Sequence, residues 1–497
     1  MTSGERPERI AHARILSLLF VAAFLIRFLY AQADPFLHNW DERFHALVAR
    51  NLVHDPFKPM LIANPVAAYD FRDWKSNHVW LHKQPLFLWQ MALSLKIFGV
   101  SEIALRLPSV VMGSLMVPIL FRITFLLTAD TMVSLLAASL LCFSRFHLEL
   151  IAGIHAMDHN DVALGFYVLA SLWAWAEYRR NPTWRWASLA GAFAGCAILN
   201  KWLVGLTVFL GWGVALLWAV RRENVMRDAA RFLLALVVCG AVFLPWQLYI
   251  TRTFPEEARH EYAYTDRHLT EAIEGHGGSP WYYARNAPEF FGPALWIFVL
   301  LGIGLAAASR TTDKRLLLPF LVIVVFVFCF FSFAVKTKIN TYVFFVAPVC
   351  MSFLAFALIE LQRRTASRVL LALTFLVSAG LSFDPGRAFG YFSGRNAERN
   401  RRIETTRILK GLGAALPPGV KVVLHTNEME NLDLMFYNNG LTAYPRIPEA
   451  DLRALAARNV PVAAFKGDER HPLPAAVSGY PGLFVLDVGY AFRDDPY

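Results

Sequence analysis

Two adjacent carboxylates, Asp41 and Glu42, occur in the stretch LHNWDERFHALVARNL at residues 37–52, immediately after an apolar segment. The amphipathic pattern that follows them predicts a helix that begins at these acids. A carboxylate there could act as a general base toward a hydroxyl or an amine. It could also simply complement the dipole at the start of the helix. The other charged groups near the pair must decide between these interpretations.

Further ionisable residues occur at the ends of apolar runs. They lie in WLHKQPLFLW (80–89), HAMDHND (155–161), GCAILNKWLVGL (195–206) and VKTKIN (335–340). Charges near a membrane core cost roughly 2.5–3.5 kcal/mol on insertion scales and are therefore candidates for function. Their structural alternatives are snorkelling lysines and an acid that caps a helix. Carboxylates with cationic groups favour group transfer from a phosphate-linked lipid, because the cations can stabilise the departing phosphate.

Metal and disulfide chemistry have little support in the sequence. All five cysteines lie inside apolar runs, which argues against disulfides and against a Cys-ligated metal. His82, His155 and His159 invite a metal interpretation, but their spacing is not that of a ligand set. We therefore predict no required cofactor, and a divalent metal is possible but not indicated.

The composition predicts a polytopic α-helical membrane protein. Of 497 residues, 56% are hydrophobic and 17% are charged, against about 25% charged in soluble domains. Apolar runs of about 17–25 residues, long enough to cross a bilayer as helix, recur through the first 383 residues. The net charge of +10 comes from Lys and Arg between these runs, which is typical of the positive-inside rule and not of nucleic-acid binding.

We predict eleven spans and assign their sides from the basic loops. The spans are 15–31, 103–127, 131–152, 161–178, 185–199, 203–220, 230–252, 292–308, 316–335, 341–361 and 368–383. A cytoplasmic N-terminus makes alternate loops basic and places the loops 32–102 and 253–291 outside, together with the C-terminus. The weakest part is 185–220, which could be one broken helix. The first segment also imitates a secretory signal with AQA at its end, and its cleavage would leave ten spans.

The tail differs from the rest of the chain. Residues 421–425, 460–465 and 483–489 read as short strands, and 451–458 read as a helix. The sequence thus predicts a transmembrane catalytic domain at 1–383 and a small α/β domain at 384–497 on the outer, periplasmic side. The tail contains neither GxGxxG nor a P-loop, so we expect no nucleotide site there.

Several stretches, in order from residue 15 to about 350, resemble the GT-C fold lipid-linked sugar transferases. That group includes the protein O-mannosyltransferases and the bacterial 4-amino-4-deoxy-L-arabinose lipid A transferases. The resemblance lies in WDERFHALVARNL, HKQPLFLWQMALSLKIFGVSEIALRLPSVVMGSL, HNDVALGFYVLA, GCAILNKWLVGL, HGGSPWYY and VKTKINTYVFFVAP.

The resemblance implies roles for individual residues. Catalytic acids would be Asp41, Glu42 and Asp161, with Asp158 as the alternative to Asp161. Lys83 would contact the phosphate of the carrier, and Lys201, Lys336, Lys338 and Arg27 join it as candidate phosphate-binding residues. Candidate substrate-binding residues are His82, Trp281, Tyr282 and Tyr283, although the three aromatic residues could equally form an interfacial belt.

The chain departs from the pattern of this group at four places. His82 replaces the usual Glu before the lysine, and Gln84-Pro85 replaces Pro-Pro after it. Lys201-Trp202 replaces Lys-Gly, and Ile339-Asn340 replaces Leu-Pro. These changes affect the donor surroundings, so they leave the identity of the sugar open.

We therefore predict an inverting glycosyltransferase of the bacterial inner membrane, with its active site on the periplasmic face. It would transfer a sugar from a polyprenyl-phosphate carrier to lipid A or to another glycolipid in the envelope. The alternatives are a protein O-glycosyltransferase of the same fold, a lipid or sugar transporter or flippase, and a non-catalytic scaffold.

Overall fold

Two compact units emerge from the computed structural model, which describes residues 5–68, 70–75, 77–155, 159–218, 225–365 and 367–493, with side chains from residue 13 onward. The helical unit comprises residues 1–31, 109–152 and 159–388. The mixed unit comprises residues 32–108, 153–158 and 389–497. The first loop and the tail, which the sequence places far apart, thus belong to one unit.

The α-helices are, in chain order, α1 Glu5–Ala31, α2 Asp41–Leu52, α3 Leu86–Phe98, α4 Glu102–Thr128, α5 Thr131–Cys142, α6 Arg145–Ile151, α7 His159–Arg180, α8 Trp184–Lys201, α9 Thr207–Trp218, α10 Val225–Thr253, α11 Pro255–Thr270, α12 Tyr282–Arg285, α13 Ala287–Phe291, α14 Ile297–Ala308, α15 Lys314–Cys329, α16 Thr341–Phe344, α17 Ala347–Arg363, α18 Arg368–Phe383, α19 Pro385–Phe392, α20 Ala397–Ala415, α21 Glu430–Tyr437, α22 Glu449–Ala457 and α23 Ala475–Ser478. The strands are β1 Val422–Leu424, β2 Thr442–Tyr444, β3 Val462–Phe465 and β4 Phe484–Leu486. Short 3₁₀ segments occupy Trp202–Leu206 and Ile273–Gly275, and a π-helical turn occupies Phe330–Ala334.

The apolar helices support a membrane protein, but they do not confirm eleven spans. Within the described ranges, five helical stretches are long and apolar enough to cross a membrane, or seven if each bent pair is one span. The bent pairs are α5 with α6, at 47°, and α18 with α19, at 40°. The predicted spans 185–199 and 203–220 lie in one 35-residue apolar stretch, Trp184–Trp218. The 3₁₀ segment interrupts that stretch, since Trp202 has a φ of 58°.

Close helix packing in the helical unit depends on glycine at two contacts. A Cβ on Gly191 of α8 would lie 2.2 Å from the carbonyl oxygen of Ala235 in α10. A Cβ on Gly302 of α14 would lie 1.8 Å from the carbonyl oxygen of Phe353 in α17. Small residues allow helix backbones in membranes to approach this closely. Larger residues at these positions would force the helices apart.

A four-stranded parallel sheet occupies part of the mixed unit. Its strand order is β2-β1-β3-β4, with Val422 beside both Thr442 and Val462, and Ala463 beside Phe484. Helices α21, α22 and α23 connect successive strands, as parallel pairing requires. The three predicted strands overlap β1, β3 and β4, and β2 was not predicted. A separate domain at 384–497 stays a prediction, because residues 32–108 share its compact unit.

Candidate active site

The carboxylate of Asp41 is buried and paired with Lys83 in the mixed unit. Asp41 is the first residue of α2, and Trp40 before it has a φ of 64°, a conformation that turns the chain sharply into the helix. The Nζ atom of Lys83 lies 3.3 Å from Oδ2 of Asp41, and the side chains are 15% and 6% exposed. The lysine thus offers the more accessible part of the pair.

The surroundings of Asp41 keep its carboxylate ionised. Burial opposes ionisation, but the ammonium of Lys83, with smaller contributions from His45 and His82, holds the pKa of Asp41 below its usual range. His82 stacks on Trp74, with ring centroids 4.5 Å apart and planes 5° apart. This stack fixes the position of the imidazole ring of His82, the residue before Lys83. At neutral pH Asp41 is therefore an anion that can accept a hydrogen bond or a proton.

Glu42 is held differently from its neighbour. It is fully buried, and its carboxylate accepts hydrogen bonds from Nε and Nη2 of Arg106, at 2.7 and 3.0 Å, and from the backbone N–H of His38, at 2.6 Å. Gly153 packs over the same carboxylate, and a Cβ on it would lie 2.5 Å away. These contacts surround the carboxylate with protein atoms, so the structure places Glu42 in a buried ion pair beside the predicted catalytic acid.

A second acid–lysine pair lies in the helical unit. Asp161, in the first turn of α7, is 2.5 Å from Nζ of Lys201, the last residue of α8. The Asp161 side chain is 2% exposed and that of Lys201 is 20% exposed. Lys201 also lies 4.9 Å from the ring centroid of Tyr342. The structure thus brings together two predicted site residues that are 40 positions apart in the sequence. Asp158, the predicted alternative to Asp161, lies outside the described residues.

Two of the predicted phosphate-binding residues donate to backbone carbonyls within the helical unit. Lys338 is buried, and its Nζ donates to the carbonyls of Phe331, Ser332 and Val335, at the end of the helix that begins with α15. Arg27 of α1 is fully buried and donates to the carbonyls of Leu141 and Cys142, at the end of α5. Both cations satisfy helix C-termini. Lys336, in contrast, has an exposed side chain.

The three predicted aromatic platforms do not share one environment. Trp281 is 64% exposed and Tyr283 is 1% exposed, with Tyr282 between these extremes. The rings of Tyr282 and Tyr283 meet edge to face, with centroids 5.1 Å apart. Only Trp281 therefore presents most of its ring surface to a ligand or to the membrane interface.

Comparison with known proteins supports the fold. Residues 48–257 match the family model of dolichyl-phosphate-mannose-protein mannosyltransferases. A crystal structure of ArnT from Cupriavidus metallidurans in the apo state superposes with a TM-score of 0.64 at 17% identity, covering 90% of this chain and 89% of that chain. ArnT from the same organism bound to undecaprenyl phosphate gives a TM-score of 0.61, with the same identity and coverage. The chain has the GT-C fold.

A further GT-C structure is similar, although it is larger. The archaeal oligosaccharyltransferase AglB from Archaeoglobus fulgidus, in complex with an inhibitory peptide and a dolichol-phosphate, gives a TM-score of 0.59 at 13% identity. The match covers 89% of this chain and 65% of that chain. A search of curated proteins finds no significant match to the sequence. The resemblance to GT-C sugar transferases is thus confirmed for the fold, at low sequence identity.

Among the described residues of this GT-C protein, no group of three or more His, Cys, Asp or Glu side chains is placed to hold a metal ion. His82 stacks on Trp74, and His159 contacts the hydroxyl of Ser109 at 2.9 Å. The site chemistry that the residues themselves offer is that of carboxylates and ammonium groups.

Sequence reasoning missed two buried arginines of the mixed unit. Arg106 pairs with Glu42 and also donates to the carbonyls of Asp34 and Phe36. Arg43 pairs with Asp433 at 2.9 Å, which connects α2 to α21. An arginine within an apolar segment indicates a buried partner. Arg106, in the stretch RLPS at residues 106–109, is such an arginine and could have been recognised from the sequence. No pattern in the sequence pairs residues 43 and 433.

Proposed function

We propose that this protein is an inverting glycosyltransferase that moves a sugar from a polyprenyl-phosphate carrier to an envelope acceptor, lipid A or another glycolipid, at the periplasmic face of the inner membrane. The observation that carries the proposal is the buried Asp41–Lys83 pair at 3.3 Å. It combines an ionised acid with a more exposed cation on one loop. The GT-C fold supports the reaction class, and one similar structure, that of ArnT, is bound to undecaprenyl phosphate.

Asp41 acts on the acceptor in this proposal. Its carboxylate accepts a hydrogen bond from the acceptor hydroxyl or amine and takes the proton as that group attacks the anomeric carbon. The new glycosidic bond forms on the face opposite the departing oxygen, so the configuration inverts. The bond between the anomeric carbon and the phosphate oxygen breaks, and its electron pair leaves with polyprenyl phosphate.

The lysines act on the donor. Lys83 provides a positive charge beside Asp41 for the phosphate, whose charge rises as the carrier leaves. Lys201 is held by Asp161 but is 20% exposed, so its ammonium can contact a second anion. Lys336, whose side chain is exposed, is a further candidate contact. Trp281 and His82 are the corresponding candidate sugar contacts.

Three predicted residues receive structural roles instead. Glu42 neutralises Arg106, and Lys338 and Arg27 donate to helix-terminal carbonyls. Each is at most 3% exposed. Moving any of them to a substrate would leave a buried charge or a carbonyl without its partner, which is costly. We propose that each of them stabilises the fold of its own unit.

A protein acceptor is the second candidate. The family model matched by residues 48–257 is that of protein mannosyltransferases. A protein O-glycosyltransferase would use the same donor chemistry and the same roles for Asp41 and Lys83. The two candidates differ only in which acceptor gains mass.

Mass spectrometry of envelope components tests the proposal. A deletion strain would carry wild-type protein, Asp41→Asn or Asp55→Asn, the last being a control at an exposed acid of the same loop. We expect a sugar-sized mass on lipid A or another glycolipid with wild type and Asp55→Asn only. A mass shift on proteins alone would select the protein acceptor. Near-normal transfer by Asp41→Asn would refute the role of Asp41.

A further inference from the structure

A cavity of about 300 Å³ lies within the mixed unit, between the first loop and the tail. We infer that it binds an uncharged sugar unit of the acceptor; this inference rests on the proposed transferase function. The volume is at the lower end of the range of small-molecule sites. It therefore suits one sugar residue better than a whole lipid.

The cavity has an apolar floor and a charged rim. Its buried floor consists of Phe44, Ile62, Met429, Leu432 and Tyr444. Its exposed rim consists of Asp73, Lys75, Glu428 and Arg446. An apolar surface with a few convergent polar groups is the usual composition of a ligand site.

The floor of the cavity begins one helical turn from the proposed catalytic acid. Phe44 follows Asp41 by three residues in α2, so both lie on the same face of the helix, about 5–6 Å apart at Cβ. On the rim, the ammonium of Lys75 lies 5.1 Å from the ring centroid of Trp40, the residue before Asp41. The cavity lining thus includes a residue one helical turn from Asp41, although Asp41 itself does not line the cavity.

The charges of the rim favour a neutral polyhydroxylated ligand. Two carboxylates offset two cations, so the rim has no net charge with which to attract a phosphate. Carboxylates accept hydrogen bonds, and Lys and Arg donate them. A sugar hydroxyl does both, so a sugar can pair with either kind of rim group. An anionic ligand would meet Asp73 and Glu428 as unfavourable neighbours.

A peptide strand is the less suitable occupant because strand β2, which borders the cavity, already contacts other parts of the chain. Strand β2 is one of the two edge strands, and Tyr444 at its end lines the cavity. The backbone N–H groups of Val66 and Ala67 donate to Oη of Tyr444. The hydroxyl of Thr442 donates to the carbonyl of Asn64. The first loop therefore lies against side chains of β2, and Nδ2 of Asn431 donates to the carbonyl of Ala443, so a backbone group that a peptide strand would use already has a partner.

Saturation-transfer NMR on the full-length protein in lipid nanodiscs tests the inference. The probes are methyl glycosides of glucose, galactose and mannose, a phosphorylated glucosamine disaccharide, and a Ser/Thr-containing hexapeptide. The test variant is Glu428→Ala/Arg446→Ala at the rim. The matched control is Glu449→Ala/Arg453→Ala, an exposed ion pair on α22 outside the cavity. Thermal unfolding of each variant verifies folding.

We expect at least one methyl glycoside to bind to wild type and to the control, and to bind at least about tenfold more weakly to the rim variant. Equal binding to all three proteins, or no glycoside binding, would overturn the inference. Rim-dependent binding of the peptide or of the phosphorylated disaccharide instead would also overturn it, in favour of that class.

The same envelope measurement separates this inference from the proposed function. Asp41→Asn should retain glycoside binding, because the cavity does not depend on its charge, while losing the sugar-sized product. If the rim variant binds glycosides as wild type does, and the wild-type protein transfers sugar, only the proposed sugar site in the cavity is refuted. A rim effect on binding, with Asp41→Asn as active as wild type, refutes only the catalytic role.

Discussion

Replacing Glu42 with Gln distinguishes a buried structural acid from a catalytic one. The carboxylate accepts three hydrogen bonds, from Nε and Nη2 of Arg106 and from the N–H of His38. A glutamine has one oxygen, so its amide N–H₂ must face at least one of these donors. The Arg106 guanidinium, fully buried, also loses its counter-charge. Breaking such a pair on one side costs about 3–5 kcal/mol.

Two further variants provide comparisons for the loss of stability in Glu42→Gln. Arg106→Met should be more destabilising than Glu42→Gln, because the carbonyls of Asp34 and Phe36 also lose their donor, at about 1–3 kcal/mol each. Glu398→Gln is the control. Glu398 also pairs with arginines, but its side chain is 45% exposed, and such pairs contribute about 0–1 kcal/mol.

Unfolding can be followed with a thiol-reactive dye as a rise above the signal of the exposed Cys329, because Cys142, Cys239 and Cys350 are buried until the protein unfolds. We expect the melting temperature to fall in the order wild type and Glu398→Gln, then Glu42→Gln, then Arg106→Met. A Glu42→Gln protein that melts like wild type but transfers no sugar would refute the structural interpretation and return Glu42 to the reaction. Wild-type stability together with full activity would show that the ion pair contributes little.

Three more predictions address other charged residues. Lys201→Met should raise the KM for the donor, measured by kinetics in nanodiscs, and should also lower the melting temperature, because the buried Asp161 loses its partner; an unchanged KM in the folded protein would contradict the contact of Lys201 with the donor. Arg27→Met should lower the melting temperature and leave the donor KM unchanged, because the carbonyls of Leu141 and Cys142 lose a donor; a raised KM with normal melting would make it a phosphate ligand. Burial, opposed by Arg43 and helped by Glu430, raises the pKa of Asp433 to about 7, above the value of about 3.9 in unfolded chains. The folded protein therefore holds this proton more tightly than the unfolded chain does. The resulting contribution to stability is complete below about pH 4 and is lost as the pH rises through 7. Melting from pH 4 to 8 should show this loss in wild type but not in Asp433→Asn, and parallel curves would contradict it.

Local patterns in the sequence were sufficient for several features of this protein. The apolar composition indicated membrane helices, and the acids after Trp40 predicted the start of α2 at Asp41. The three predicted strands overlap β1, β3 and β4. Each is a short run of residues with high strand propensity between turn residues, a pattern that can be recognised from adjacent residues alone. The ordered motifs indicated the GT-C fold, and they singled out the residues that form the Asp41–Lys83 and Asp161–Lys201 pairs.

Other features depended on contacts between distant residues. The number of spans could not be counted from apolar runs, because bends at 142–145 and at 383–385 and the break at Trp202 do not change composition. Strand β2 is only three residues long, Thr442–Tyr444, and its pairing with β1 defines it.

Which partner each charged residue has was decided by tertiary structure. Asp41 and Glu42 are adjacent and chemically alike, yet one pairs with a partly exposed lysine and the other with a fully buried arginine. The sequence determined that both carboxylates occur at the start of α2. The fold determined their partners, because the energy of a charge depends on its burial and on the groups brought against it from elsewhere in the chain.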